Sequence, residues 1–514
     1  SFVTLRVVPF DCSTSRRIFR PFLIVPILLG MCLSGSTAFA QYTRTDHFDG
    51  AVLTLRRCIT PSQTGEQHAL IVSLRTLNDQ SLRPFFQSLT NSSNWSSRVD
   101  GILGLAELST QRDIDLALLK QLSAEDQSTV IRNAVGFRLI RPETIREILE
   151  IQELPILDLV VLNAELHRQG EKFSKKRLDD AVKDPSDEIA GLAAALMLET
   201  GNDEAWKTFA AQLATRSPEI RNVAIQELSK AIQLYCIRAA VAPVVKIVQD
   251  PSYTPPTKMI ANGTALALNP AIGQVEWRKY TSQERSQSAL VRAGLQLMSQ
   301  EKGVEAGMGS SLRNGEPLVE AIADAIEANA SGDPNALASA LEVVIDRANR
   351  SSAEWAIKRA AFLPPALASQ VWKHLIVWFL TAPPNTNALS GVILDCASRL
   401  ALSDTGAIEN LIQLSESERQ LQEILILALC NAATPEAAAV AERVRGSLSR
   451  RGDALAILAI ARGKPTLDPN LLRELGIVAA GGGDLDPTLL VQAAWLFARH
   501  SGKADQALTQ IEGK

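Results

Sequence analysis

Apolar residues recur along the chain at an interval typical of helical hairpins. Seven segments from Val99 to Val291 begin with a β-branched or Leu residue, and their first residues are about 32 positions apart on average. An interval of this length holds two short helices and their turns. In one segment the apolar residues at 220, 223, 224 and 228 fall on a single helical stripe. Such a stripe needs a neighbouring helix to cover it, so the pattern predicts stacked helical hairpins.

Helix start signals follow a similar interval. Asp184-Pro185, Ser217-Pro218 and Asp250-Pro251 are 33 residues apart, and Thr434-Pro435 precedes Asp468-Pro469 by 34. Asp, Ser or Thr accepts a hydrogen bond from the first helical turn, and Pro in the next position has no N–H group to leave unpaired. A similar apolar interval continues from Ile357 to Val491. These patterns predict an all-α protein with helical repeats in both halves.

Residues 184–196 and 217–228 resemble the second helix of HEAT-type, armadillo-like repeats. This resemblance implies a right-handed α-solenoid of stacked antiparallel hairpins, and it covers about a third of the chain. The family commonly has an Asp and an Arg in each repeat that form a ladder between neighbours. Arg132, Arg221 and Arg292 match the Arg, whereas position 190 is Ala.

The ladder of that family suggests a partner for one of these arginines. Because ladder residues pair between neighbouring repeats, we expect Arg221 to reach Asp184 or Asp187 of the preceding unit. HEAT-like repeats form a shape class with many unrelated uses, so the resemblance alone assigns no activity.

The first forty residues have the pattern of an export signal. Arg16, Arg17 and Arg20 precede an apolar run over 22–33, and small residues lead to Ala38-Phe39-Ala40. The run is shorter than the roughly 20 residues that cross a bilayer as a helix. We therefore expect cleavage after Ala40 and a periplasmic or extracellular chain with no transmembrane segment. The pattern fits both the general secretory and the twin-arginine route.

Two interruptions divide the repeat pattern. Residues 253–256 form a Pro-rich loop, and residues 303–317 are rich in Gly and lack periodicity. The predicted organisation is listed in chain order: a signal peptide over 1–40, a HEAT-like solenoid over 41–300, a Gly-rich linker over 301–317 and a second helical repeat region over 318–514.

Composition excludes several classes of protein. The 52 basic residues are balanced by 56 acidic ones, for a net charge of −4, so no broad basic surface for nucleic acid is expected. A hydrophobic content of 46% indicates a folded chain, and an aromatic content of only 5% suits close-packed helices. Cys396 and Cys430 lie in apolar helical runs and are interpreted as buried thiols, with a disulfide between helices as the alternative.

Motifs for catalysis, metals and cofactors are missing from the sequence. The five histidines show no two-ligand helical spacing, and no Cys-x-x-Cys occurs. No Gly-x-Ser-x-Gly turn is found, and residues 307–311 lack the lysine of a phosphate loop. His374 lies in an apolar helix and is interpreted as a packed or capping residue. The sequence therefore predicts no catalytic, metal or cofactor site and a protein that is not an enzyme.

One short segment is a candidate for partner binding. Trp277, Arg278, Lys279 and Tyr280 lie close to the Pro-rich loop, and Trp, Tyr and Arg often carry binding energy at interfaces. The alternative is that Trp277 packs beneath the loop.

The leading functional hypothesis is an exported scaffold that binds a protein or peptide partner. The runner-up is an enzyme or ligand-binding module with its site at the interruption over 250–317, because long loops on rigid scaffolds often carry function. A third hypothesis is glycan or ligand binding by aromatic residues such as Trp355, Trp372 and Trp378.

Overall fold

A computed structural model describes residues 47–512 except 61–65, 152–153, 285, 299–303, 348–349, 361 and 382–389. The predicted signal peptide over 1–40 lies outside the described residues, so its cleavage site stays a prediction.

The described residues form 28 α-helices and no β-strand. The all-α prediction is confirmed. The helices are α1 His47–Arg56, α2 Glu66–Arg75, α3 Arg83–Leu89, α4 Trp95–Leu108, α5 Leu116–Leu119, α6 Ala124–Phe137, α7 Pro142–Leu149, α8 Ile156–Arg168, α9 Leu178–Ala181, α10 Asp187–Glu199, α11 Asp203–Ala214, α12 Pro218–Leu234, α13 Val241–Val248, α14 Pro255–Leu268, α15 Pro270–Gln283, α16 Gln287–Met298, α17 Pro317–Ser331, α18 Pro334–Asp346, α19 Arg350–Ala360, α20 Pro365–Thr381, α21 Ser390–Ser403, α22 Thr405–Leu414, α23 Arg419–Ala432, α24 Pro435–Val444, α25 Arg450–Gly463, α26 Pro469–Ala479, α27 Pro487–His500 and α28 Ala504–Glu512.

Three of the five predicted start signals cap helices. Ser217, Thr434 and Asp468 each accept a backbone N–H group of the first turn, and Pro follows at the first helical position. Asp184 and Asp250 behave differently, because each carboxylate accepts the backbone N–H two residues further on. This local turn competes with capping. The helices that follow therefore begin later, at Asp187 and Pro255.

Residues 119–355 belong to one compact unit. Within it α6, α8, α10, α12, α14 and α16 pack in succession, each against the next helix named, and α16 packs against α17. The intervening α11 and α15 pack against α10 and α14 respectively. Neighbours in the chain are therefore neighbours in space along this unit.

The face that α12 buries differs from the predicted stripe. Ile220 and Val223 are 50% and 60% exposed, so their predicted burial is wrong. Leu228 of the predicted stripe is buried, and the other four buried residues, Asn222, Ile225, Ser229 and Ile232, lie on a neighbouring face. Two of these four are polar residues, which an apolar pattern does not count. The hydrophobic pattern therefore identified the helix correctly and its buried face only in part.

The second compact unit combines residues from both ends of the chain. It contains the described residues of 47–118 together with those from 356 onwards. Here α1 packs against α26, α27 and α28, and α2 packs against α27. Phe48, Leu70 and Trp495 are all buried in this unit. The first helices of the chain thus share a core with the last ones.

Cys396 and Cys430 are buried thiols, as the first interpretation expected, and Cys58 is another. Burial raises the pKa of Cys58 to about 12 and also raises the pKa of Cys430. Within the described residues, no helix combines the length and apolar content needed to span a bilayer.

Candidate interaction surface

The candidate segment from Trp277 to Tyr280 lies in the second half of α15. Trp277 is fully buried, which matches the alternative of a packing role. Arg278 and Lys279 are exposed, and Tyr280 is half-buried with its hydroxyl donating to Glu284 at 3.2 Å. Burial, together with Glu284, raises the pKa of Tyr280 to about 12. Only the last three residues of the segment therefore have solvent-accessible side chains.

The Pro-rich loop is held by Asn222, a buried asparagine of α12. Asn222 Oδ1 accepts the Thr254 N–H at 2.9 Å and the Thr257 hydroxyl at 2.6 Å. Tyr253 is also buried, and the Arg221 guanidinium lies over its ring at 5.7 Å. Pro255 and Pro256 form the start of α14, so the connection between α13 and α14 ends at Thr254 and not at the predicted Pro256.

Arg221 contacts a different partner from the one expected. Asp187 pairs with Arg216 at 3.1 Å, while Arg221 lies over Tyr253. The expected contact from Arg221 to the preceding repeat is replaced by a cation–π contact with the following loop. One rung of an Arg–Asp ladder does occur between α6 and α8, where Arg132 Nε is 3.6 Å from Asp158 Oδ1.

The Gly-rich stretch forms an ordered segment bound to α17, and we call residues 304–316 the strap. Glu327 accepts the N–H groups of Gly307 and Ser310 at 2.8 and 2.9 Å. Glu320 accepts the N–H groups of Asn314 and Gly315 at 3.1 and 3.0 Å. These backbone groups have no helical partners, so the carboxylates of α17 satisfy them.

Arg313 adds a charged contact between the strap and α17. Its guanidinium bridges Glu320 at 2.6 Å and Asp324 at 2.5 Å. Hydrogen bonds from the strap hold the pKa values of Glu320 and Glu327 below their usual range, although burial opposes the shift at Glu327. Glu320, Asp324 and Glu327 lie on one face of α17, which we call the acidic face.

Apolar side chains fix the other side of the strap. Met308 and Leu312 are buried, and the Ser311 hydroxyl lies 3.0 Å from that of Thr281 on α15. A Cβ atom added to Gly294 of α16 would lie 3.2 Å from Leu312 Cδ1 and 2.5 Å from Ile322 Cγ2. The strap therefore lies against α15, α16 and α17.

Side-chain hydrogen bonds repeatedly join residues about one repeat apart. His68 and Asp100 are separated by 32 positions, Asn222 and Thr254 by 32, and Ser398 and Asn431 by 33. Further pairs with separations of 30 to 35 are Arg75–Glu107, Ser128–Asp158, Gln226–Thr257, Thr281–Ser311, Glu409–Arg443, Arg451–Asp486 and Arg462–Gln492. These separations agree with the 32-residue interval of the apolar pattern.

A charged cluster that no sequence motif predicted lies between α2 and α4. His68 Nδ1 is 2.6 Å from Asp100 Oδ2, and Arg75 contacts both Asp100 at 3.0 Å and Glu107 at 2.8 Å. Arg75 and Asp100 are buried, whereas the His68 side chain is 59% exposed. Trp95, 55% exposed, lies at the start of α4. His68 and Asp100 are 32 positions apart, and so are Arg75 and Glu107. This shared spacing is the sequence signal that could have revealed the cluster.

The structure also bears on residues considered for metal or glycan binding. Among the described residues, no group of three His, Cys, Asp or Glu could hold a metal ion. Trp355 and Trp372 are buried, which argues against their binding a glycan, and the side chain of Trp378 lies outside the described residues. His374 is half-buried in α20.

The fold and these contacts define an all-helical protein whose helices pack largely in chain order within each unit. No protein-family model, curated protein or solved structure matches the chain.

Proposed function

We propose that this chain is a HEAT-like α-solenoid that acts as a non-enzymatic scaffold for a protein or peptide partner. The observation that supports this best is the recurrence of side-chain hydrogen bonds at separations of 30 to 35 residues. Such bonds join residues about one predicted repeat apart, which stacking of similar units favours. The succession of packed helices from α6 to α17 supports the same architecture.

The proposed partner surface includes the first residues of four of the seven apolar segments, whereas those of the other three, Val99, Ile131 and Val291, are buried. Ile220 and Val223 are exposed on α12, and Leu157, Ile189 and Ile260 are half-exposed on α8, α10 and α14. Because α8, α10, α12 and α14 pack in succession, these side chains occur at corresponding positions of adjacent repeats. Exposed apolar side chains that recur in this way favour a binding role.

The region over 250–317 favours binding over catalysis. Its two loop segments are held within the fold, the Pro-rich loop by Asn222 and the strap by the acidic face. A catalytic site needs polar groups available to a substrate. The enzyme hypothesis therefore receives less support than the scaffold.

Substitution of Ile220 and Val223 tests the partner surface. We expect Ile220→Ser/Val223→Ser to abolish recovery of a cross-linked partner that the unaltered chain captures. Leu402→Ser is the matched control, because Leu402 is also 50% exposed but belongs to the other unit. Equal partner recovery by the double variant and the control, or substrate turnover by the purified chain, contradicts the proposal.

Export requires a separate test. We propose that residues 1–40 direct the chain out of the cytoplasm and are removed. Fractionation of the producing cell, followed by N-terminal sequencing of the exported chain, is expected to give Gln41 as its first residue. Retention of the chain in the cytoplasm would contradict export without affecting the scaffold proposal.

A further inference from the structure

We propose that the strap occupies a peptide-binding groove formed by α15, α16 and α17, and that the strap defines the chemistry of the partner. The partner is a peptide with two apolar side chains four residues apart and an arginine directly after the second. In the strap these positions are Met308, Leu312 and Arg313. This inference rests on the proposed scaffold function and specifies one partner class for it.

Most polar contacts of the strap with α17 come from its backbone. The N–H groups of Gly307, Ser310, Asn314 and Gly315 donate to two carboxylates of the acidic face. Backbone donors are common to all peptides, and they provide affinity. The partner also needs glycine at the place of Gly309, because a Cβ atom there would collide with the Ala323 carbonyl oxygen. A partner segment that adopts the same turns can donate to the same carboxylates.

Side chains supply the specificity of the groove. Met308 and Leu312 are 0% and 1% exposed, so they are the two apolar anchors of the strap. Arg313 pairs with Glu320 and Asp324. The acidic face therefore selects a partner with a positively charged side chain at this position. Apolar anchors combined with a complementary charge are a common basis of peptide recognition.

One buried donor in the groove region has no acceptor among the described residues. Trp277 is fully buried, and its indole Nε1 is unpaired. It lies one helical turn before Thr281, which contacts Ser311 of the strap. A buried N–H group without an acceptor is uncommon in native structures. The strap thus supplies no acceptor for the Trp277 indole.

The contacts that hold the strap are individually modest. The Arg313 and Asp324 side chains are 39% and 58% exposed, and exposed ion pairs contribute little to stability. Gly307 and Gly315 have a φ of +84°, a conformation that residues with side chains rarely adopt. The strap competes mainly through its covalent attachment, which gives it a high effective concentration. Weakening its anchors is expected to open the groove.

A labelled peptide with the sequence of residues 304–316 is the probe. It is titrated into the full chain and into Met308→Ser/Leu312→Ser, with fluorescence anisotropy as the readout. We expect at least about tenfold tighter binding to the variant, because its own strap no longer competes well. A probe with Ser at both anchor positions is expected not to bind.

Substitutions on the groove side distinguish specific binding from adhesion to exposed apolar surface. Glu320→Gln/Glu327→Gln, added to the anchor variant, is expected to weaken probe binding by removing carboxylate acceptors. Glu147→Gln in the same background is the matched control, because Glu147 is exposed on α7 of the same unit. Equal loss with Glu147→Gln, or no loss with the glutamate pair, overturns the proposal.

Hydrogen exchange verifies that α15, α16 and α17 remain folded in the anchor variant. If these helices unfold, Arg313→Gln replaces the anchor variant, because this exposed substitution leaves both anchors in place. We then expect a smaller increase in probe affinity than the anchor variant would give. Failure of the probe to bind a folded variant rejects the groove. The scaffold proposal is judged separately by Ile220→Ser/Val223→Ser, so the two outcomes are distinguishable.

Discussion

At the scale of the residue, Asn222 has a polar side chain on the buried face of α12. Its Oδ1 atom accepts three hydrogen bonds, from the Thr254 N–H and from the hydroxyls of Thr254 and Thr257. Thr257 is fully buried, so its hydroxyl depends on internal partners. Asn222 thus joins the Pro-rich loop and α14 to α12.

We expect Asn222→Ala to lower the free energy of unfolding by about 1–3 kcal/mol, because buried donors lose their acceptor. Urea denaturation measures the change. Asn133→Ala is the control, since the Asn133 side-chain amide donates to the Thr129 carbonyl within its own helix. A loss no larger than that of the control would show that the Asn222 bonds add little.

Protonation of His68 also gives a prediction at the residue scale. The hydrogen bond to Asp100 raises the pKa of His68, against the opposing effects of burial and of Arg75. A raised folded-state pKa contributes stability that is fully present below the unfolded value of about 6.5 and is lost as the pH rises through the folded value. We expect His68→Gln to cost more stability at about pH 5.5 than at about pH 8.5.

The stability contribution of His500 is expected to depend on pH in the opposite direction. Burial lowers its pKa, and nearby Arg499 lowers it further, so its contribution is present above the unfolded pKa and is lost as the pH falls. Urea denaturation of His68→Gln and His500→Gln across this pH range is expected to give stability differences with opposite slopes. Equal slopes for the two variants would be inconsistent with this assignment.

At the scale of the element, helix type was predictable and several contacts were not. Capping by Ser217 follows from residue types that act within one turn. The buried face of α12 includes Asn222, which accepts the Thr257 hydroxyl of α14, and Ser229, whose hydroxyl donates to the Ile225 carbonyl within α12. The strap depends on backbone N–H groups, which leave no mark in a sequence. Local signals were thus sufficient for elements and insufficient for their polar contacts.

Gly309 tests how closely the strap fits α17. A Cβ atom at this position would collide with the carbonyl oxygen of Ala323 and lie 2.9 Å from Glu327 Oε1. We expect Gly309→Ala to cost about 1–3 kcal/mol, as overpacking does, and to reduce hydrogen-exchange protection of the strap. Gly391→Ala is the control, because a Cβ there meets no atom within 4 Å. Unchanged strap protection in Gly309→Ala would contradict this close fit.

At the scale of the whole molecule, residues far apart in the chain meet in the core that the first and last helices share. Gln492 of α27 donates to the Ser73 hydroxyl at 2.9 Å and to the Thr76 hydroxyl at 3.0 Å. Asp79 accepts Trp495 Nε1 at 3.2 Å and Arg499 at 3.0 Å. The repeat interval could not predict these bonds, because their partners lie 416 to 420 positions apart.

Asp79→Ala tests whether these distant segments unfold together. The change leaves the Trp495 indole and the Arg499 guanidinium without this acceptor, which we expect to cost about 1–3 kcal/mol. Because α1 and α2 both pack on α27, hydrogen exchange is expected to show lower protection in all three helices. Asp115→Ala is the control, since Asp115 is exposed beside the short helix α5. Loss of protection in α2 with no change in α27 would show that the two ends of the chain open independently. Loss of protection in both helices would establish one cooperative unit built from both ends of the chain.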